Sequence, residues 1–239
     1  MTLKLAVFDL AGTTLNDNES YVADAFIQAS KDFGIMLSEE RIKKAMGYKK
    51  REAIQMLLKD AGERTDEKWI DSIHNRFTEH INERYRSEEL EEVEGASKVF
   101  SELKKLGLRI AINTGFSRST ADIIFSRLDW FEKELVDGSI TSDEVERGRP
   151  APEMISELQN RFGLTGSEQI VKVGDTPSDL LEGKNAGCGL TVGVLYGTNN
   201  REEMEPYPHD YLIEDIQEMT DIVKRYQALS TSDNLLDEA

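Results

Sequence analysis

Four short segments carry the residues best suited to chemistry, and most of them close an apolar run. Asp9 ends "LKLAVFD", Thr114 and Gly115 end "LRIAINTG", Arg149 lies in "RGRPAPEM", and Asp175 ends "QIVKVGD". In open α/β sheets, ligands bind outside the carboxyl ends of the strands. Two aspartates at neighbouring strand ends suit Mg²⁺, a hard cation that takes one or two carboxylates plus phosphate oxygens and water. Asp9 could also be a nucleophile, since carboxylates form covalent phosphoryl intermediates. Thr114 and the backbone N–H groups after Asp9 could hold phosphoryl oxygens. Each residue alone has a plainer reading: a turn aspartate, a turn hydroxyl, a surface ion pair. In "TPSD" (176–179) Asp179 fits the third position of a helix capped by Thr176, with Pro177 at its first position. The joint occurrence, in order along the chain, is what favours a site.

These residues need elements to position them. "LKLAVFD" reads as a buried strand bounded by a Gly-Thr-Thr turn. The next stretch, to about Arg86, is helical throughout. "SYVADAFIQASKDFG" is followed by "SEERIKKAMG", with Ser38 as N-cap, then "KKREAIQMLLKDAG", then "TDEKWIDSIHNRFTEHINERY", which starts at Thr65 with an acidic first turn. After "SEELEEVEG" helices alternate with the strands "LRIAINT", "QIVKVGD" and "LTVGVLY", a short "GSITSDEV" segment, and a last strand near "YLIED". The closing helix is "IQEMTDIVKRYQAL", and the polar tail "STSDNLLDEA" is expected to fray. Alternation predicts a parallel sheet covered on both faces, with the helical stretch inserted after the first strand as a second, smaller domain.

Composition narrows the partners. The chain has 239 residues, 38% hydrophobic and 31% charged, which suits a globular protein with a substantial core. With 29 Lys+Arg against 46 Asp+Glu, the net charge of −17 repels nucleic acid and anionic membrane, so neither is an expected partner. An anionic substrate then needs local positive charge. The single cysteine, Cys188, fits a reducing compartment and reads as a small core residue. "MTLKLAVFDL" lacks the pattern of a leader, and no apolar run approaches a membrane span, so the expected location is cytoplasmic.

"FDLAGTT", "INTG", Arg149 and "VGDTPSD" resemble the four motifs of the haloacid dehalogenase superfamily of phosphohydrolases. The resemblance covers the chain to about residue 225. It implies a Rossmann-like α/β core (residues 1–15 and 95–239) with an inserted all-α, C1-type cap (16–94), hinged near 15–19 and 88–95. Carried over by position, Asp9 is the nucleophile, and Asp9, the carbonyl of Ala11, and Asp175 bind Mg²⁺. Asp179 supports the metal site, while Thr114 and Arg149 hold the phosphoryl group, with Thr13 and Gly115 beside it.

Two departures from the common pattern point one way. Most members carry a second aspartate at Ala11 and a lysine at Arg149. In phosphatases that aspartate protonates the leaving alkoxide, help of about 10²–10⁴ in rate. In both respects the sequence resembles the phosphonatase branch (phosphonoacetaldehyde hydrolase and close relatives), which has Asp-x-Ala-Gly-Thr-Thr and the arginine. That branch's substrate has a C–P bond and releases no alkoxide; a cap lysine forms an imine with the aldehyde instead. "KKAMGYKKREA" resembles the branch's Met-Gly-x-x-Lys segment, which implies Lys50 as that lysine, with Met46 and Gly47 at the substrate. Flanking Lys49 and Arg51 are expected to depress its pKa. Lysines 43, 44, 49 and 50 could equally share a solvated helix face. Three positions depart from the branch: Ala53 for a histidine, Phe116 for a tyrosine, and about Glu19 for a cysteine. His74, His80 and His209 do not fill the gap.

Three functions follow: C–P cleavage of a small phosphonate aldehyde, phosphate monoester hydrolysis of the phosphoglycolate phosphatase kind, or binding without turnover. Analogy with the branch adds a homodimer as an expectation.

Overall fold

The computed structural model describes residues 2–17 and 20–237, with side chains to 229. Asn18 and Glu19 lie outside the described residues, so the cysteine-to-Glu19 comparison has no structural counterpart here.

Six strands form one parallel sheet: β1 (Leu5–Asp9), β2 (Arg109–Thr114), β3 (Gly138–Thr141), β4 (Ile170–Gly174), β5 (Leu190–Val194) and β6 (Tyr211–Ile213). Their order is β3-β2-β1-β4-β5-β6, with every pairing parallel. The chain therefore builds outward on one side of β1, then returns to build on the other. A crevice forms at such a reversal, beyond the strand ends. β1 is buried along its whole length because its period-two side chains serve both faces. Ala6 and Phe8 enter the larger apolar core, while Leu5 and Val7 join a smaller one with Ile140, Met154 and Leu158. Cys188 packs at the edge of the smaller core, and burial pushes its thiol up to about 12.

Four helices follow β1: α1 (Tyr21–Asp32), α2 (Glu39–Lys44), α3 (Lys50–Asp60) and α4 (Glu67–Ser87). Ser38 accepts the Arg41 N–H, as its type predicts. The fourth helix starts one residue later than expected: Asp66, not Thr65, is the N-cap, and its carboxylate accepts the Trp69 N–H. Both residue types cap well, so sequence alone does not separate them. The segments entering and leaving the insert lie side by side. Asn16 N–H donates to Glu91 O and Val93 N–H to Thr14 O, at 2.9 and 2.8 Å.

The remaining helices are α5 (Ala96–Lys105), α6 (Arg118–Leu128), α7 (Glu153–Arg161), α8 (Pro177–Ala186), α9 (Arg201–Met204) and α10 (Glu218–Asp237). The backbone of α10 is helical to Asp237, into the stretch expected to fray. None of the described helices is long and apolar enough to cross a membrane.

Candidate active site

β1 lies between β2 and β4, so Asp9, Thr114 and Asp175 emerge side by side. Arg149 reaches them from the loop before α7. Its Nη1 donates to Asp9 Oδ1 at 2.6 Å, and its Nη2 to the Asn113 carbonyl at 2.7 Å and Oδ1 at 2.9 Å. Nη1 also lies 3.0 Å from Asp179 Oδ1, and Nε 3.1 Å from Glu182 Oε2. Burial works against the guanidinium charge, but Asp179, Asp9 and Glu182 outweigh it and hold Arg149 above its ordinary range.

Lys172, Asn113 and Glu182 complete this buried network, and sequence reasoning missed all three. Lys172 Nζ donates to Asn113 Oδ1 at 2.7 Å and lies 2.8 Å from Asp179 Oδ1. Asn113 Nδ2 donates to Glu182 Oε2 at 2.8 Å. The available signal was a lysine in the middle of the apolar strand "IVKVG", where a charge is costly unless paired. Asp179 takes the capping role and also joins the ion network. Its Oδ2 accepts from the Thr176 N–H and hydroxyl, capping α8, while its Oδ1 faces the network.

Carboxylate oxygens of Asp9, Asp175 and Asp179 lie within 4.8 Å of one another. Burial raises the pKa of Asp9, opposed by Arg149. Burial, then the charges of Asp9 and Asp179, push Asp175 up to about 7. For Asp179 burial is outweighed by Arg149 and Lys172, which hold it below the usual range. Asp9 and Asp175 are thus the under-compensated pair. An all-oxygen, net-negative donor set of this kind fits a hard divalent cation.

The insert closes over these groups. The α2–α3 loop brings Met46 and Gly47 to the strand ends, and Arg149 Nη1 lies 3.4 Å from the Gly47 carbonyl. A cavity of about 20 Å³ is lined by Asp9, Ala11, Met46, Gly47, Lys50, Thr114, Gly115, Arg149 and Asp175, and also by Val22, Phe116, Thr176 and Thr198. Nine of the sequence-derived residues therefore meet there. Thr13 and Asp179 do not line it: the Thr13 hydroxyl is turned to Asp175 Oδ1 at 3.2 Å, and Asp179 sits behind, in the ion network.

Lys50 is not on a solvated face. It opens α3 with only 6% of its surface exposed, its Nζ 4.9 Å from the Phe116 ring centre and 5.8 Å from that of Phe26. Its pKa is pushed down to about 8 by burial, with Arg149 adding to the effect and Asp9 opposing it. The expected cause is thus corrected. Lys49 is drawn to the carbonyls of Val145 and Glu146, Arg51 to Asp71 and Glu67, and neither flanking charge is the source. Ala53 is buried, and the histidines lie elsewhere: His80 pairs with Asp32, and His209 Nδ1 meets the Tyr207 carbonyl.

The family profile of haloacid dehalogenase-like hydrolases matches residues 6–192. A phosphonoacetaldehyde hydrolase of Bacillus cereus (strain AH187) is 31% identical over 212 residues, covering 83% of this chain and 78% of that protein. Among solved structures, a phosphonoacetaldehyde hydrolase-like protein from Oleispira antarctica superposes with a TM-score of 0.80 at 19% identity, over 95% of this chain and 94% of its own. A predicted phosphoglycolate phosphatase from Haemophilus somnus gives 0.74 at 23% identity, over 95% and 99%. The two structural likenesses speak to the fold.

Proposed function

This chain belongs to the haloacid dehalogenase-like hydrolases, and from that premise we propose that it cleaves the C–P bond of a small phosphonate aldehyde such as phosphonoacetaldehyde. One observation carries the reading: a buried amine, Lys50, lines the same small cavity as the carboxylate Asp9. An amine with a pKa of about 8 is neutral often enough near neutrality to add to an aldehyde. The resulting iminium accepts the electron pair of the C–P bond as an Asp9 oxygen attacks phosphorus. Products of this step are an enamine on Lys50 and a phosphoryl group on Asp9. Water then releases orthophosphate from Asp9, and protonation and hydrolysis of the enamine release the dephosphorylated aldehyde.

In this reading residues 16–94 act as a cap over a core made of 1–15 and 95–239. Arg149 holds Asp9 and faces the phosphoryl oxygens with Thr114, while Met46, Gly47 and Gly115 shape the space beside them. Asp9, Asp175 and the Ala11 carbonyl would hold Mg²⁺, supported by Asp179, and the ion would offset phosphoryl charge during attack. Thr13 serves by fixing Asp175.

Phosphate monoester hydrolysis is the second reading, favoured by the apolar Ala53 and Phe116 at positions where the branch carries proton-transferring groups. Intact mass after incubation with phosphonoacetaldehyde, Mg²⁺ and borohydride separates the two. The proposal expects a reduced adduct that peptide mapping locates at Lys50 and that Lys50→Ala abolishes. No adduct and no phosphate release from the aldehyde would favour the esterase.

A further inference from the structure

Tyr85, in the last turn of α4, is fully buried, yet its hydroxyl has no hydrogen-bond partner among the described residues. Buried hydroxyls are nearly always paired, and one that is not calls for a reason. Tyr85 is also firmly placed. Its carbonyl accepts from Arg127 Nη1 at 2.8 Å, and its ring meets the Phe116 and Tyr21 rings edge-on, with centres 5.7 and 6.2 Å away.

Its position relates it to the site. Phe116 is the ring over which Lys50 Nζ lies, so hydroxyl and amine belong to two side chains packed on one aromatic. Both groups also lie within electrostatic range of the same two carboxylates, Asp9 and Asp17. Burial, then those charges, hold the phenol well above its ordinary pKa, so it remains a donor rather than a phenolate. Tyr85 packs behind the Phe116 wall of the cavity of about 20 Å³ rather than on its lining, and that space has room for about one water, so a substrate must displace its walls to be held there.

We propose that the Tyr85 hydroxyl donates a hydrogen bond to the carbonyl oxygen of the substrate while Lys50 adds to the carbonyl carbon. The role rests on the imine reading given above. As the Nζ–C bond forms, the carbonyl π pair moves onto oxygen, where the Tyr85 O–H stabilises the developing charge. That oxygen then leaves as water, carrying one proton from Nζ and one from solvent, and the iminium remains. Tyr85 keeps its own proton throughout.

Tyr85→Phe tests the role, because it removes only the hydroxyl and keeps the packed ring. The readouts are the rate of borohydride-trappable adduct at Lys50 with phosphonoacetaldehyde and the melting temperature of the full chain. The expected result is trapping slowed by about a hundredfold, as for loss of an oxyanion donor, with the melting temperature unchanged or raised. Trapping at the wild-type rate would overturn the role of Tyr85 alone and leave the imine reading standing. Slower trapping together with a melting temperature lowered by several degrees would also overturn it, in favour of packing. No adduct in the wild type would overturn both.

Discussion

At Lys50 the chain inserts an amine between Phe26 and Phe116, and the ordinary consequence of burial follows: the charged form is disfavoured. With a pKa of about 8, roughly one amine in ten is neutral at pH 7. An exposed lysine would be neutral roughly three hundred times less often. The sign of the pH dependence is therefore fixed. Imine formation should rise about tenfold per pH unit below 8 and level off above it, read as the initial rate of borohydride trapping at saturating Mg²⁺. Linkage runs the same way. The folded-state pKa lies below the ordinary value of 10.5, so the folded protein binds fewer protons than the unfolded chain between the two values. The Lys50 contribution to stability thus improves as pH rises through that window. A trapping rate that climbs steadily to pH 10 would mean the amine is solvated and the closed arrangement does not persist in solution.

The α2–α3 loop is the element that brings the insert's chemistry to the sheet, and Gly47 permits it. Its φ of +80° is in the left-handed region, and a Cβ there would lie 2.3 Å from Ser178 Oγ and 2.4 Å from Thr176 Oγ1. Gly62 has a similar φ of +74° but nothing within 4 Å, so it separates backbone strain from lost contact. Gly47→Ala should cost about a hundredfold in kcat/KM, by displacing Lys50 and Met46 from the strand ends. Gly62→Ala should leave kcat/KM within about twofold, and both variants should lose about 1 kcal/mol of stability from strain. Equal activity losses in the two variants would show that close approach of the loop is unimportant.

The same loop shows what the sequence makes legible. Asp9, Thr114 and Asp175 could be grouped because apolar strands of regular length end at them, and parallel strands align their ends. Arg149 joined that group through its place in the motif order. Lys172 and Glu182 were hidden, because their pairing depends on β4 lying beside β1 and on the face α8 turns inward, which no local pattern encodes. The burial of Lys50 was hidden for the same reason. "KKREA" reads as a solvated helix start until the insert folds back over β2, and only then does Phe116 cover the amine.

On the scale of the whole molecule, the net charge of −17 opposes the dianion the site is proposed to bind. The cleft beside the small cavity adds to that opposition. It encloses about 900 Å³ between insert and core, and Asp17, Asp24, Glu39, Glu94, Glu214 and Asp215 line it with Lys43 as the cation among them. Inside, Arg149, Lys172 and Lys50 face four buried carboxylates, Asp9, Asp175, Asp179 and Glu182, and a bound divalent cation would tip that balance positive where salt does not reach. Encounter and binding are thus governed by charges of opposite sign, and screening separates them. Raising ionic strength from about 0.01 to about 0.15 M shortens the Debye length from about 30 to about 8 Å, which weakens the outer repulsion and spares the buried pairs. At saturating Mg²⁺, kcat/KM for a dianionic substrate should therefore rise with added KCl while kcat stays constant, the reverse of an enzyme that steers its substrate electrostatically. Neutralising Glu214 and Asp215 together, as Gln and Asn, should reproduce part of the rise at low salt and flatten the dependence that remains. If kcat/KM falls with salt instead, the substrate enters by a route the acidic cleft does not govern.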